Sequence, residues 1–249
     1  KVKYAMPILL PTLLAIETSS ELASCALLRG DVILSRASSG VRTHSQSILP
    51  MVQELLAEAG VTLADVDAIA YGSGPGSFTG VRTACGIAQG LAYGAKLPVV
   101  PVVPVVTLDA MALACHQQHG AQHIVTVLDA RMGEVYWAQY DYQDGLRAVL
   151  PPALSAPAGV APQGDVTGCG NGFTAYAEAL AALPCAATAD AAIMPHAVQV
   201  AQLARIAFAA GQFVTAAEAQ PLYLRNKIAY TSAERHEMQL AKAAAESAQ

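Results

Sequence analysis

A chain of 249 residues is long enough to bury a sizeable core, either as one large domain or as two modest ones. Because 54% of its residues are hydrophobic and only 13% are charged, we expect at least one apolar surface that serves association. The net charge of −5 and the scattered lysines and arginines argue against a chain that is itself the main electrostatic contact to a nucleic acid.

The start of the chain and its cysteines bear on where the protein works. The first residues are apolar but interrupted by prolines, and the apolar run is too short to span a bilayer. We expect residues 1–11 to be a leader or an extended start, with no membrane association. The five cysteines are odd in number and never in CxxC spacing, which predicts buried thiols and a cytoplasmic, reducing location.

The first half of the chain is predicted to form three strands followed by alternating helices and strands. Short apolar runs joined by tight polar turns predict an antiparallel meander, and helical spacing of apolar residues then predicts amphipathic helices. This order of elements is typical of a ribonuclease-H-like α/β layout. In chain order we predict strands 13–18, 23–29 and 32–38, helix 45–59, strand 68–71, helix 77–93, strand 99–103 and helix 107–119.

The second half repeats this theme, since another meander is followed by a proline- and alanine-rich stretch, a strand and two helices. Two copies of one topology predict an α/β protein of two ribonuclease-H-like lobes. The first lobe is expected over 12–108, completed by a C-terminal segment at about 212–232. The second, smaller lobe is expected over 109–211, and the tail at 233–249 is expected to fray. The predicted elements are strands 124–128, 134–142, 146–150 and 165–167, and helices 172–183 and 197–210.

The segment YGSGPGSFTGVR at 71–82 places four glycines and a proline between a strand and a helix, as many phosphate-binding loops do. A Walker loop needs Gly-Lys-Ser/Thr, and no lysine occurs between Lys3 and Lys96. A dinucleotide loop needs GxGxxG, and that spacing is also missing. The segment is therefore predicted to be a turn, with Ser77 capping the helix that follows.

Glycines continue inside that helix. Gly86, Gly90 and Gly94 are four residues apart, so they lie on one face and let another backbone approach closely. Each glycine inside a helix destabilises the helix by about 0.5–1 kcal/mol relative to alanine. We therefore expect these glycines to have a specific packing role. The close neighbour is either this chain's own sheet or a helix of a partner. We favour the partner, and we extend this interpretation to the glycines of 71–82.

The helix at 45–59 has an apolar stripe that spans about 160° of the helical wheel at the ideal pitch, wider than a single core-facing side requires. One flank is expected to pack on the sheet while Ile48, Met51 and Leu55 face outward to a partner. Ordinary core packing of the whole stripe is the alternative. Pro50 is expected to kink this helix or to lie close to its start.

Six segments carry a family resemblance, namely LLAIETSS, HSQSILPMV, YGSGPGSFTGVR, GIAQGLA, DARMGEVYWA and PLYLRN. In this order and spacing, over about residues 13–226, the chain resembles the TsaB family of bacterial proteins. The resemblance implies a two-lobed fold of the actin/Hsp70/sugar-kinase type. It also implies a role in forming N6-threonylcarbamoyladenosine next to the anticodon of tRNAs that read ANN codons.

The resemblance further implies a non-catalytic scaffold that binds and activates the TsaD-type catalytic paralogue, joined by the ATPase TsaE. A TsaC-type enzyme is expected to act with this complex, tRNA to be contacted only indirectly, and the chain alone to form a homodimer. ATP and metal are expected on the partner subunits, with no cofactor in this chain. The implied partner surface comprises residues on the helices at 45–59 and 77–93. They are His44, Ile48, Met51, Val52, Leu55, Phe78, Arg82, Thr83, Gly86, Ile87 and Gly90.

Histidines are the first candidates for catalysis, and three occur in HQQHGAQH. The TsaD-type enzymes hold a metal with an HxxxH pair on the third helix, whereas His116 and His119 are three apart here. Gly120 is expected to end the helix before His123. Because no acidic ligand is placed beside them, a surface cluster is favoured over a metal site. A metallopeptidase or glycoprotease is therefore the less favoured alternative.

Nucleotide binding is the other alternative, as in a stand-alone ATPase or sugar kinase of the same fold. The first hairpin has Glu17 in the acidic position of the superfamily but no glycine. Thr18 and Ser19 are therefore weak candidates to bond an anion, since such residues more often close a turn. In TGCGNGF, Gly168 and Gly170 resemble the adenosine-side loop of the superfamily, but a strand-to-helix turn is favoured.

Overall fold

The computed structural model of the chain describes residues 11–38, 44–95 and 100–225, which fold into two α/β lobes, each built on its own sheet. The strands are β1 (Thr12–Glu17), β2 (Ala23–Arg29), β3 (Val32–Ser38), β4 (Ala68–Gly74), β5 (Val102–Val106), β6 (His123–Arg131), β7 (Glu134–Tyr142), β8 (Leu146–Ser155) and β9 (Thr167–Cys169). The helices are α1 (His44–Ala59), α2 (Phe78–Gly94), α3 (Thr107–His119), α4 (Gly172–Ala175), α5 (Ala177–Leu180) and α6 (Ala197–Ala209).

The first sheet has the strand order β3-β2-β1-β4-β5. Because β1 pairs antiparallel with β2 and parallel with β4, a three-stranded meander is extended by two parallel strands, which is the predicted ribonuclease-H-like order. Leu14 and Ile16 of β1 belong to the core under α1 and α2. Leu13 and Ala15 belong to a second core under α6, on the opposite face. Alternate side chains of one strand therefore serve two different cores.

Helix α6 lies on the first sheet, whereas its place in the sequence had predicted it as part of the second lobe at 109–211. Ala197, Ala201 and Ala204 are fully buried against β1 and β2, and their small side chains let the helix lie close to the sheet. The Ala197 N–H also donates to the Ser24 hydroxyl of β2 at 3.0 Å. Apolar periodicity identifies a helix, but it does not state which of two sheets the helix covers.

The second sheet has the strand order β8-β7-β6-β9, with α3 over one face and α4 and α5 over the other. β8 runs through Pro151 and Pro152 to Ser155, beyond the predicted end at residue 150. An edge strand tolerates prolines because one of its sides needs no hydrogen-bond donors. The predicted helix at 172–183 is instead two short helices, since Tyr176 between them leaves the helical region with φ −131°.

Element boundaries in the first lobe differ from prediction by a few residues. α1 continues through Pro50 to Ala59. β4 extends to Gly74 rather than ending at residue 71, and β5 begins at Val102. The predicted start of β5, at residue 99, lies outside the described residues. The Ser77 cap is confirmed, because its hydroxyl accepts a hydrogen bond from the backbone N–H three residues on at 3.4 Å.

Residues 214–225, named here the C-terminal strap, connect the two lobes. Val214 bridges to the edge strand β5 of the first sheet. The Gln89 side chain of α2 donates to a strap carbonyl at 2.8 Å. At the far end of the strap, the Arg225 guanidinium lies 2.5 Å from the Glu134 carboxylate of β7. The strap therefore packs along α2 and then reaches the second lobe.

The strap is part of the segment predicted at 212–232, which the structure describes as far as residue 225. The tail predicted at 233–249 lies outside the described residues, as does the leader predicted at 1–11 apart from Pro11. Among the helices that are described, none combines the length and the apolar character needed to cross a membrane.

Candidate partner surface and inter-lobe cleft

The glycines of the 71–82 segment pack against this chain's own first hairpin. A Cβ atom added at Gly72 would lie 1.7 Å from the side chain of Glu17, the last residue of β1, and Cβ atoms added at Gly76 and Gly80 would lie 2.5 and 1.9 Å from backbone atoms of the turn that follows β1. Only glycine lets the loop and the first turn of α2 come this close to that turn. The expectation that the glycines of this segment serve a partner was therefore wrong for these three positions.

The turn after β1 carries the two hydroxyl candidates for anion binding, and both are engaged with this chain. The Thr18 hydroxyl donates to the Gly80 carbonyl at 2.7 Å. The Ser19 hydroxyl accepts a hydrogen bond from the Thr107 hydroxyl of α3 at 3.3 Å. Thr18 and Ser19 are both buried. Their contacts hold β1 against α2 and α3, whereas the sequence had favoured hydroxyls that only close a local turn.

Glu17, in the acidic position of this hairpin, is a fully buried carboxyl. Its Oε1 accepts from the Ser19 N–H at 2.5 Å, whereas its Oε2 has no hydrogen-bond partner among the described residues. Desolvation by burial raises the pKa of Glu17 above its ordinary value.

The glycine loop of the second lobe is also closely packed. A Cβ added at Gly168 would lie 2.8 Å from the Phe173 ring. One added at Gly170, where φ is +106°, would lie 2.3 Å from the Val127 carbonyl oxygen. The Gly170 N–H donates to the Asp190 carbonyl at 3.0 Å. These contacts are those of a strand-to-helix turn packed on its own sheet.

A cleft of about 490 Å³ lies between the lobes, bordered by the turn after β1, the start of α2, the β6–β7 hairpin and the strap. Its arginines are paired within the chain. Arg131 lies 2.7 Å from Glu21 and 3.2 Å from Asp129. Arg225 pairs with Glu134. Among the residues described, the lining of this cleft therefore offers a phosphate no cation without a carboxylate partner.

The three candidate histidines lie close in sequence but have separate partners. His119 Nε2 lies 2.9 Å from the Asp190 carboxylate, and His123 Nδ1 lies 2.7 Å from the Asp141 carboxylate. His116 instead stacks on a tyrosine ring, with the ring centres 3.5 Å apart. Across the described ranges, no three His, Cys, Asp or Glu side chains converge as a metal site requires.

One face of α2 is exposed along the helix, and we name it the α2 face. Tyr93 ends the face and is 71% exposed. Among the residues that the structure describes, a Cβ added at Gly86 or Gly90 would meet no atom within 4 Å. The two glycines therefore form an open floor between larger side chains. The α2 face consists of Phe78, Arg82, Gly86, Gly90 and Tyr93, all exposed and spaced by three or four residues.

The side chains that α1 exposes differ from the prediction. Ile48, Met51 and Leu55 are buried in the core against the first sheet, as is Val52, so the expectation that they face outward was wrong. The large apolar side chain that α1 does expose is Leu49, at 46%. Successive residues of a helix are rotated by about 100° around its axis. A prediction that is wrong by one position therefore assigns the wrong side chain to the exposed side of the helix.

Three further residues were expected at the partner surface, and the structure describes the side chains of two of them. Thr83 and Ile87 of α2 are half-buried beside the α2 face, and Ile87 packs against the core under this helix. The side chain of His44, at the start of α1, lies outside the described residues.

Phe78, Arg82 and Tyr223 form an exposed group where the α2 face meets the cleft, named here the aromatic–arginine cluster. The Arg82 guanidinium carbon lies 3.6 Å from the centre of the Phe78 ring. The Arg82 Nε donates to the Tyr223 hydroxyl at 2.7 Å. Sequence reasoning missed Tyr223, because this contact joins residues 141 positions apart. Its one signal was the segment PLYLRN, which contains Tyr223.

Two sheets that each begin with a three-stranded antiparallel meander and add parallel strands define a two-lobed protein of the ribonuclease-H-like, actin-like class. The family model described as "TsaD: tRNA N6-adenosine threonylcarbamoyltransferase" matches residues 31–248 of this chain. The match includes the greater part of both lobes.

Relatives that match nearly the full length of the chain are named TsaB rather than TsaD. The tRNA threonylcarbamoyladenosine biosynthesis protein TsaB of Escherichia coli (strain K12) is 38% identical over 225 residues, which are 88% of this chain and 96% of that protein. The protein of the same name from Haemophilus influenzae is 37% identical over 231 residues, 88% of this chain and 95% of that protein. The chain belongs to the TsaB family.

Solved structures agree with this assignment. YeaZ from Pseudomonas aeruginosa is 42% identical, with a TM-score of 0.78, over 86% of this chain and 100% of that chain. A second structure, of an uncharacterized protein from the same organism with similarity to peptidase YEAZ, gives a TM-score of 0.80 at 42% identity and the same coverage. The predicted two-lobed fold and the family resemblance are confirmed.

Proposed function

We propose that this chain takes part in forming N6-threonylcarbamoyladenosine on tRNA, as the non-catalytic subunit that binds and activates a TsaD-type paralogue. The name of its relatives supports the biosynthetic role. The α2 face supports the role as a binding subunit, and it is the observation that carries the proposal. On this face, a Cβ added at either Gly86 or Gly90 would meet no atom of the described residues within 4 Å.

The two open glycines have the spacing that a helix–helix contact uses. Gly86 and Gly90 are one turn apart, so a second helix laid across them meets backbone rather than side chains. Each glycine costs about 0.5–1 kcal/mol within a helix, and no close packing inside the described chain explains either of them. A partner helix that fills this floor gives both residues a function.

Exposed apolar side chains occur on both helices of this side of the first sheet. Leu49, Phe78 and Tyr93 are 46%, 38% and 71% exposed. They lie on α1 and α2, the two helices that cover the same face of the first sheet. Large apolar groups gathered on one side of a chain with few charges are typical of an association surface.

The polar groups considered for anion binding already have partners within this chain, which supports a role without catalysis. The hydroxyls of Thr18 and Ser19 bond groups of this chain, and the cations of the cleft pair with its own carboxylates. We therefore assign ATP and metal to the partner subunits and no cofactor to this chain. For the same reasons, a stand-alone ATPase and a metallopeptidase or glycoprotease are less well supported.

The complex that we propose contains the TsaD-type paralogue and a TsaE-type ATPase, and a TsaC-type enzyme acts with it. The chain alone pairs with itself through the α2 face, so homodimer and heterodimer compete for one surface. Because the net charge is −5, we expect tRNA to be bound mainly by other subunits, in the cytoplasm.

Titration calorimetry of this chain against a purified TsaD-type paralogue tests the proposal. We expect a one-to-one heterodimer, and we expect sedimentation to show that it forms at the expense of the homodimer. ATP titrated into the isolated chain should give no binding heat. A chain that forms no complex with the paralogue, or one that binds ATP tightly by itself, contradicts the proposal.

A further inference from the structure

Among the described residues, Arg82 and Arg29 have no carboxylate oxygen within 4 Å, unlike the other described arginines. Most of the described arginines lie within 4 Å of a carboxylate oxygen of this chain. These are Arg36, Arg131, Arg147, Arg205 and Arg225. A cation without a partner in a chain of net charge −5 calls for an explanation.

The guanidinium of Arg82 is nevertheless held in one orientation. Its Nε is bound to the Tyr223 hydroxyl at 2.7 Å, and its carbon lies 3.6 Å from the Phe78 ring centre. Tyr223 is itself held, because the strap residue before it, Leu222, donates its N–H to the Ser73 carbonyl at 2.7 Å. Within the described chain, Nη1 and Nη2 of Arg82 have no hydrogen-bond partner. The fork is fixed on one side and open on the other.

We propose that the open fork of Arg82 binds a carboxylate side chain, Asp or Glu, of the TsaD-type partner; this rests on the function proposed above. Two parallel N–H···O bonds from a guanidinium match a carboxylate, and a fork already held in place loses little entropy on binding. Arg82 lies one turn from Gly86, so a helix seated on the glycine floor brings its own side chains within reach of the fork. Arginine flanked by aromatic rings is also the composition of interface hot spots.

A carboxylate fits this position better than a phosphate. A phosphate carries more charge and is usually bound by several donors, whereas the recorded ring and hydrogen-bond contacts of the Arg82 guanidinium are with two aromatic residues, Phe78 and Tyr223. The arginines that line the cleft, Arg131 and Arg225, are already paired with carboxylates of this chain. One fork between two rings therefore matches a single carboxylate.

Titration calorimetry of the full chain against the TsaD-type paralogue tests this site with three variants, at about 0.1 M and about 0.5 M salt. Arg82→Met should weaken binding on the order of 30-fold at low salt, and its affinity should depend less on salt than that of the wild type. Arg82→Lys should recover part of the loss, because lysine keeps the charge but not the fork. Tyr223→Phe should weaken binding a few-fold, since it frees the fork without removing it.

Arg147→Met is the matched control, because Arg147 is an exposed arginine on β8 of the other lobe. Its affinity and salt dependence should equal those of the wild type. The partner side is tested by changing each acidic residue of the paralogue's facing helix to Arg and pairing each change with Arg82→Glu. Restored affinity in one such pair identifies the bound carboxylate and supports the proposal.

The outcomes separate this proposal from the function on which it rests. If the wild-type chain does not bind the paralogue, the proposed function fails first. If the wild type binds and Arg82→Met binds equally at both salt concentrations, the carboxylate site is wrong while the proposed function stands. If no charge reversal restores binding and inorganic phosphate competes with the paralogue only for wild-type Arg82, the fork binds phosphate and the carboxylate assignment is overturned.

Discussion

The backbone oxygen of Thr18 lies in the space that a Cβ at Gly80 would need, with a separation of 1.9 Å. The Thr18 hydroxyl also donates to the Gly80 carbonyl at 2.7 Å, so the turn after β1 and the first turn of α2 are joined at a close contact. Gly80→Ala should therefore lower the free energy of unfolding by about 1–3 kcal/mol, as overpacking does. Urea denaturation followed by circular dichroism measures this loss.

Gly86→Ala is the matched control for this contact on the same helix. A Cβ at Gly86 meets no atom of the described part of the chain within 4 Å, so we expect the higher helix propensity of alanine to decide the effect. We expect the free energy of unfolding to rise by up to about 1 kcal/mol. If Gly80→Ala and Gly86→Ala change stability in the same direction, then Gly80 is not more closely packed than Gly86, which contradicts the structure.

Bulk on the glycine floor should block the partner without damaging the fold. Gly86→Leu and Gly90→Leu place a side chain where a partner helix is proposed to lie, and each should weaken binding of the TsaD-type paralogue at least about tenfold, or 1.4 kcal/mol. Unfolding midpoints should stay at or above the wild-type value. Calorimetric titration and urea denaturation measure the two quantities.

The control for added bulk is Ala209→Leu, an exposed position at the end of α6, which covers the opposite face of the first sheet. This variant should bind the paralogue as the wild type does. Normal complex formation by both glycine variants would remove the α2 face from the interface.

Neighbouring residues of α1 should respond differently to a negative charge. Ile48 is fully buried, so Ile48→Glu should lower the free energy of unfolding by about 3 kcal/mol or more. Leu49 is 46% exposed, so Leu49→Glu should leave stability nearly unchanged and weaken association. Thermal unfolding and calorimetric titration of both variants provide the measurements.

Ile206→Glu removes a comparably exposed apolar side chain, 64% exposed on α6, and should alter neither stability nor partner binding. The assignment of Leu49 to the partner surface is refuted if Leu49→Glu binds as tightly as Ile206→Glu.

The buried carboxyl of Glu17 should make stability depend on pH. Because desolvation raises the folded-state pKa above the ordinary value of 4.5, the folded protein holds this proton more tightly than the unfolded chain. Stability linked to this group is therefore complete at pH values below about 4.5 and is lost as the pH rises through the folded-state pKa. Relative to Glu17→Gln, the free energy of unfolding of the wild type should fall with rising pH.

Urea denaturation of wild type and Glu17→Gln, from about pH 4.5 to neutral pH, measures this difference. The comparison of slopes is the relevant quantity, because the glutamine variant also changes hydrogen bonding at Ser19. Parallel curves would mean that the pKa of Glu17 is the same in the folded and the unfolded protein, which would contradict the effect of burial.

Local patterns predicted the elements of this fold well. Apolar alternation and turn residues located the strands, and glycine spacing located the open face of α2, because both depend on residues near in sequence. The cap at Ser77 was predictable for the same reason, since capping chemistry acts over three residues.

Local sequence patterns did not predict the features that depend on contacts between segments distant in sequence. The stripe of α1 is apolar over a wide angle, and the position of the sheet selects Ile48 rather than Leu49 for the core. The sequence alone does not distinguish the glycines at 72, 76 and 80 from those at 86 and 90. In the structure, only the first set packs against the end of β1 and the turn that follows it. Tyr223 meets Arg82 because the strap returns along α2.

The most direct measurement is the formation of N6-threonylcarbamoyladenosine on unmodified tRNA by purified TsaC, TsaD and TsaE proteins, with this chain, without it, and with Gly90→Leu in its place. Our account predicts product with the wild-type chain, little or none without it, and a comparable loss with Gly90→Leu. Equal product in all three reactions would contradict the proposal that this chain activates its partner through the α2 face.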